Sequence, residues 1–237
     1  MSLYDRLDLT RPNRHIKLPI WERINLTRPP KPSCQGCRSR IQSQWEFCPG
    51  CGRTLIDKDS EYRRCIWVDV SAIDVAPESR EAIATILIDA FSKLYGAFRS
   101  VKVYLTSDPP DPKEWAEDFT HVYVFADNQP VNYLGAASFH SGMVTNFAIV
   151  RIDQIFYASD SASLSVNQLS NLIGNTIAHE IGHTLGLDHS SLPTDVMHDG
   201  LDHIVHSLMP PSFHAEQINL MNNAIGRYRT LKIPSTS

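Results

Sequence analysis

Beyond residue 62 the apolar positions switch between a period of two and a period of three to four, which mark strands and helices respectively. Cys65-Ile66-Trp67-Val68-Asp69-Val70 is short and rich in β-branched residues, and predicts a strand with Cys65 as an inert buried thiol. Pro77 to Phe98 predicts a helix. Pro77 suits a first turn, and Ile83, Leu87, Phe91, Leu94 and Phe98 form one buried stripe. Val101–Thr106, His121–Ala126, Leu134–Phe139 and Phe147–Ile152 predict further strands, with Val122, Val124 and Phe125 mainly in the core. Val166, Leu169, Leu172, Ile173 and Ile177 predict an amphipathic helix, opened by a capping box from Ser165 to Gln168. A final helix over about Phe213–Tyr228 buries Ile218, Met221 and Ile225.

The central helix runs into His179-Glu180-Ile181-Gly182-His183-Thr184-Leu185-Gly186-Leu187-Asp188-His189. Residues four apart share a helical face, so His179 and His183 can bind one ion. Glu180 lies one residue round, within reach of a metal-bound water but not aimed at the metal. Gly186 has free access to positive φ, so the helix can stop there and the chain can return His189 as a third ligand. Three neutral imidazoles leave a fourth zinc position for water, the mark of a catalytic site and not a structural one. Reading these histidines as mere surface residues leaves the glycine and the third histidine unexplained.

The motif resembles that of the metzincin zinc endopeptidases, and is closest to the matrixin branch. Ser190 follows the third histidine, Pro193 comes soon after, and Met197 lies eight residues beyond His189. The resemblance covers about residues 62–230. It implies a catalytic zinc on His179, His183 and His189, with Met197 in a Met-turn beneath it. It implies hydrolysis of peptide bonds by metal-activated water, with Glu180 as general base and proton shuttle. It further implies that Leu134, Gly135, Ala136, Ala137, Ser138 and Phe139 form an edge strand along which a polypeptide substrate adds antiparallel. The expected class is α+β with an α/β-type N-terminal subdomain. It comprises a twisted mixed sheet, two packed helices, the active-site helix, a Met-turn and a C-terminal helix. Two matrixin features are missing. Ala126–Phe139 has no His and only Asp127, so it lacks the family's ion-binding loops, and no Pro-x-Tyr follows Met197. His198, His203, His206 and His214 read as a polar, pocket-forming loop, with a second metal site as the alternative. His121 and His140 read as ordinary strand or loop residues.

Charge divides the chain in the same place as periodicity. Residues 1–33 carry seven Lys/Arg against three Asp/Glu, residues 34–64 six against four, and residues 65–237 nine against nineteen. A basic head of +6 thus precedes a body of −10. Residues 1–31 are rich in Pro and Arg and predict an extended arm, with Leu-Thr-Arg-Pro at both Leu9–Pro12 and Leu26–Pro29. Cys34, Cys37, Cys48 and Cys51 form two C-x2-C knuckles ten residues apart, which suit a tetrahedral structural zinc and resemble a zinc ribbon over 32–56. Redox or disulfide pairs are the alternative reading. The catalytic domain is expected over 62–237.

A composition of 42% hydrophobic and 20% charged residues excludes a largely disordered chain. No run approaches a membrane span, and Met1–Ile20 lacks a signal-peptide core, so a cytoplasmic location is expected. A zinc-dependent endopeptidase is the reading. The alternative is a nucleic-acid- or protein-binding adaptor, partnered through the basic arm and ribbon, whose protease domain is secondary or self-restrained. The charge split also fits a head that docks on the body and restrains it.

Overall fold

Val, Ile and aromatic runs become strands wherever a helix covers their apolar side. A computed structural model of the chain describes residues 64–73, 79–115, 118–127, 129, 131–199 and 203–232. The arm, the knuckles with Cys34, Cys37, Cys48 and Cys51, and Pro77 lie outside these residues. The elements are β1 (Arg64–Ala72), α1 (Arg80–Ala97), β2 (Val103–Thr106), α2 (Pro112–Trp115), β3 (Phe119–Phe125), β4 (Gly135–Ala137), β5 (Phe147–Arg151), α3 (Ile152–Ser161), α4 (Val166–Thr184), α5 (His203–Leu208) and α6 (Ala215–Lys232).

The five strands make one sheet in the order β2-β1-β3-β5-β4. β1 runs parallel to β2 and β3, and β3 runs parallel to β5. β4 alone is antiparallel, pairing Gly135, Ala136 and Ala137 with Val150, Ile149 and Ala148. A short antiparallel strand on the rim of a parallel sheet is a common way to finish such a sheet.

Strand β3 alternates strictly, burying Thr120, Val122 and Val124. Those residues share a core with Ile66, Val68 and Val70 of β1 and with Ala148 and Val150 of β5. Helices α1 and α4 complete that core through Ile83, Leu87, Phe91 and Leu94 on one helix and Leu169, Leu172, Ile173, Ile177 and Ile181 on the other. The opposite face carries half-buried aromatics, with Trp67 stacked on His121 at 4.2 Å and His121 Nε2 3.1 Å from Asp69 Oδ2. Cys65 is fully buried in β1.

Four elements differ from the sequence expectation. The edge strand expected over Leu134–Phe139 is regular only over Gly135–Ala137. Single ladder bonds extend it, from Arg151 N to the Leu134 carbonyl at 2.7 Å and from Ser138 N to the Phe147 carbonyl at 2.9 Å. Phe139 then leaves the sheet and packs edge-on against His183, with ring centroids 5.2 Å apart. Helix α3 follows β5 without a loop, so its start is hidden in one apolar run. The polar loop expected around His203 and His206 is the helix α5. Buried Asn171 and Asn175 of α4 stabilise its end, donating to the carbonyls of Ser207, His206 and Met209 at 2.8 Å each. Finally, α6 starts at Ala215, because Gln217 Oε1 accepts the His214 N–H at 3.0 Å.

Phe91 is fully buried in the core that α1 shares with α4 and the sheet. Phe91→Ala is expected to cost about 3–5 kcal/mol of unfolding free energy through lost contacts and a cavity. Urea unfolding followed by circular dichroism measures it.

Candidate metal centre

Helix α4 delivers the first two imidazoles because both of its ends are defined. At its start, Gln168 N donates to Ser165 Oγ at 3.4 Å and Ser165 N donates to Gln168 Oε1 at 3.0 Å. At its end, Leu187 N donates to the Gly182 carbonyl at 3.0 Å and Gly186 N to the His183 carbonyl at 2.9 Å. This pair of bonds is a Schellman closure. Gly186 takes φ +87°, and an added Cβ would lie 2.7 Å from Met143 N. Backbone bonds from Gly142 N to the Gly186 carbonyl and from Thr145 N to the Thr184 carbonyl, 2.8 Å each, clamp the turn from the β4–β5 side. The chain therefore reverses at the predicted glycine and brings His189 back.

His179, His183 and His189 form one cluster, with all candidate ligand atoms within 4.8 Å of one another. Among the described residues no other group of His, Cys, Asp or Glu meets that condition. His179 Nδ1–H donates to the Val196 carbonyl at 2.8 Å, and His183 Nδ1–H donates to the Leu187 carbonyl at 2.9 Å. Since carbonyls only accept, both Nε2 atoms carry bare lone pairs. These two atoms lie 3.0 Å apart, and His189 Nε2 is also 3.0 Å from His183 Nε2. Two facing lone pairs repel unless a cation sits between them. Tetrahedral zinc with Zn–N bonds of 2.0–2.1 Å would hold its nitrogens about 3.3 Å apart. The donor set therefore fits zinc.

Electrostatics agree with the geometry. Burial lowers the His179 pKa to about 4, against the opposing hydrogen bond to Val196 and with help from the neighbouring imidazoles. Burial also lowers that of His183. Both rings are thus neutral at physiological pH, the form that binds a metal. His189 is the exposed member, and its Nδ1 lies 3.7 Å from Asp199 Oδ1, beyond hydrogen-bond range.

Glu180 is 5% exposed, and burial raises its carboxyl to about 8. Its side chain lies against β4, where a Cβ on Gly135 would come within 2.5 Å of Glu180 Oε1. Only the missing side chain of Gly135 lets the edge strand approach this carboxylate. On the other side of α4, Met197 is fully buried and its sulfur fills the space beside Gly182. A β-carbon there would collide with Met197 Sδ.

Asp195 holds the turn that carries Met197. Its carboxylate is buried and accepts the Met197 N–H at 2.8 Å, the Gln217 side-chain amide at 2.9 Å and His214 Nε2 at 2.9 Å. Ser190 N donates to the Met197 carbonyl at 2.7 Å and closes the loop after His189. Of the four later histidines, His214 thus serves Asp195. His198 faces the Ser190 carbonyl at 3.2 Å, while His203 and His206 belong to α5. The sequence places Gly135 in the edge strand but gives no sign of its contact with Glu180, and it does not single out Asp195. For Asp195 a signal existed, since Asp accepting from the backbone two residues on is a recurrent turn device. For Gly135 there was none.

The matrixin family model matches residues 114–220, a span from α2 into α6 that contains the whole cluster. No curated protein matches the chain significantly. Similar solved structures include archaemetzincin from Methanopyrus kandleri, 13% identical, covering 73% of this chain and 100% of that one with a TM-score of 0.44. A zinc-dependent peptidase from Methanocorpusculum labreanum is 12% identical, covering 67% and 99% with a TM-score of 0.45. Archaemetzincin from Archaeoglobus fulgidus, complexed with malonate, is 16% identical, covering 67% and 99% with a TM-score of 0.40. All three scores lie below 0.5, too low to transfer any feature to this chain. The matrixin match and the histidine cluster support a metzincin-type, zinc-dependent peptidase.

Gly135→Ala is expected to push the Glu180 carboxylate aside while leaving the three imidazoles in place. Metal analysis should show an unchanged zinc content, and peptide hydrolysis should fall by about 10–100-fold, the loss expected when a side chain beside the metal centre is displaced.

Proposed function

We propose that this chain is a zinc-dependent endopeptidase in which Glu180 is the general base. The observation that carries the reading is a buried carboxylate, Glu180, on the same helix turn as the first two of three convergent imidazoles and against the edge strand. His179, His183 and His189 would hold the ion. When bound, zinc supplies Lewis acidity, lowering the pKa of water toward about 7 and polarising a carbonyl. The remaining roles fall to the chain's own groups.

Strand β4 lies at the rim of the sheet, hydrogen-bonded to β5 on one side only among the described residues. Its open side offers the polar backbone of Leu134 to Phe139 to an extended polypeptide, which would add as an antiparallel strand. Such a strand crosses Gly135 and so passes beside Glu180. Glu180 takes the proton of the attacking water and passes it to the leaving amine. Burial raises the carboxyl above its ordinary value, and a zinc ion held beside it would draw it back toward the ionised form that a base needs. Met197 serves as the Met-turn residue, an apolar floor beside Gly182 that fixes the helix turn between the two ligands.

Glu180→Ala tests the assignment. Zinc content should stay at the wild-type value, while hydrolysis of a denatured protein substrate falls by at least about 10²–10⁴-fold. Undiminished hydrolysis in that variant would overturn the reading.

We further propose that residues 32–56, outside the described residues, form a ribbon around a second, structural zinc on Cys34, Cys37, Cys48 and Cys51. The basic arm and ribbon then act as a docking unit for a protein or nucleic-acid partner, or for the acidic body itself. The spacing of the knuckles and the +6 to −10 charge split support this division into 1–31, 32–56 and 62–237. Metal analysis of the full chain should find two zinc ions per molecule. Replacing Cys48 and Cys51 by Ser should remove one of them and leave hydrolysis of short peptides intact.

A further inference from the structure

The β3–β4 connection leads to the edge strand, and one buried residue holds it at both ends. Arg151 closes β5, and Asp153 stands in the first turn of α3. Their side chains are 3% and 0% exposed. Arg151 grips Asp153 with two parallel bonds, Nε to Oδ1 at 3.1 Å and Nη2 to Oδ2 at 3.0 Å. The same Nη2 donates to the carbonyls of Asp127 and Gln129 at 3.2 and 2.8 Å. The guanidinium also lies over the Phe125 ring, 5.3 Å from its centroid, and Phe125 is the β3 register partner of Arg151. Through its backbone, Arg151 N donates to the Leu134 carbonyl at 2.7 Å. One residue therefore ties the exit of β3, the entry to β4 and the start of α3.

Those tied segments also form walls. Val131, Tyr133 and Leu134 line one side of an open cleft of about 800 Å³, with Tyr157 of α3 and Ile204 of α5 on the others. Arg151 and Asp153 themselves do not line it. Leu134 continues directly into Gly135, which abuts Glu180.

We propose that the Arg151–Asp153 pair is a positioning device for the substrate-binding edge, setting where β4 and the cleft wall stand relative to the catalytic carboxylate. This rests on the reading that a polypeptide adds along β4. Arginine suits this place because its planar fork aims the Nε–H and the two Nη2–H groups, one of them shared, at two carboxylate oxygens and two carbonyls. A lysine ammonium keeps the charge but offers a single point of attachment. The charge itself is well supported, since the bonds to Asp153 raise the Arg151 pKa despite burial.

The test compares wild type, Arg151→Lys and Asp153→Asn as full zinc-loaded chains, by hydrogen exchange and by steady-state kinetics. In Arg151→Lys, amides of residues 131–137 should exchange at least about tenfold faster while α4 amides keep their protection. On a fluorogenic peptide cut by the wild type, KM should rise at least about tenfold with kcat within about twofold, the pattern of lost binding and intact chemistry. Asp153→Asn preserves volume and some hydrogen bonding, and should show the same changes in smaller measure. It carries the decision if the lysine variant does not fold. Uniformly faster exchange across the chain, or a lowered Tm with KM unchanged, would overturn the proposal and leave the pair as fold support alone. A wild type that cuts no peptide would instead sink the endopeptidase reading, and the exchange comparison would still decide whether the pair positions the edge.

Discussion

Helix α4 has to be buried on almost every side and still present two imidazoles and a carboxylate at one end. That constraint organises the molecule. Burying polar groups without partners costs several kcal/mol, so each must be satisfied or held neutral. The solution is local to the last turns of the helix. His179 and His183 each spend one ring nitrogen on a backbone carbonyl, of Val196 and Leu187. Each then has one nitrogen left, and all remaining lone pairs point at the same place. The carbonyls belong to the segments that follow the helix, so the loop after α4 orients the ligands as much as the helix does. Such outer partners fix both tautomer and ring orientation.

Close approach on two sides of that helix depends on missing side chains. Gly182 admits the sulfur of Met197 from below, and Gly135 admits the Glu180 carboxylate from the sheet side. The two contacts are independent in sequence but meet at neighbouring helix positions. Interiors are packed too tightly to absorb even one methyl group without movement. A β-carbon at either site would thus displace Met197 beside the two helix imidazoles or the Glu180 carboxylate itself.

What could be read from the sequence follows how local each signal is. The α4 motif was legible in full, because helix periodicity, the Ser165–Gln168 box and the glycine at its end all act within a few residues. The parallel strands were legible from their β-branched runs to within a residue or two. Helix α3 was not, although Ile152, Ile155, Phe156 and Ser159 recur at helical steps and are buried. It begins where β5 ends, with no turn residue to announce the change of period. Helix α5 was hidden for another reason. Its six residues lack the length to stand alone, and what stabilises its end is a pair of asparagines some thirty residues upstream on α4. Gly135 shows the limit most clearly. It reads as one small residue in a short strand, and its importance depends wholly on a side chain forty-five positions later.

Two buried carboxylates flank the centre. Asp153 is paired with Arg151, and Asp195 is shared among Met197 N, Gln217 and His214. Taking such charges out of water is expensive, and apolar replacements of similar volume often leave a protein as stable or more so. What apolar side chains cannot do is accept or organise several directed hydrogen bonds at once. Each carboxylate serves a stretch of backbone that has no regular structure to hold it. One braces the approach to β4 through Arg151, and the other braces residues 195–198, where Met197 turns under the helix. Helices and the parallel sheet need no such help, since their backbone groups satisfy one another. The costly polar groups are therefore placed where irregular chain must nevertheless be exact in position. Those two irregular segments are the ones that border the histidine cluster and Glu180.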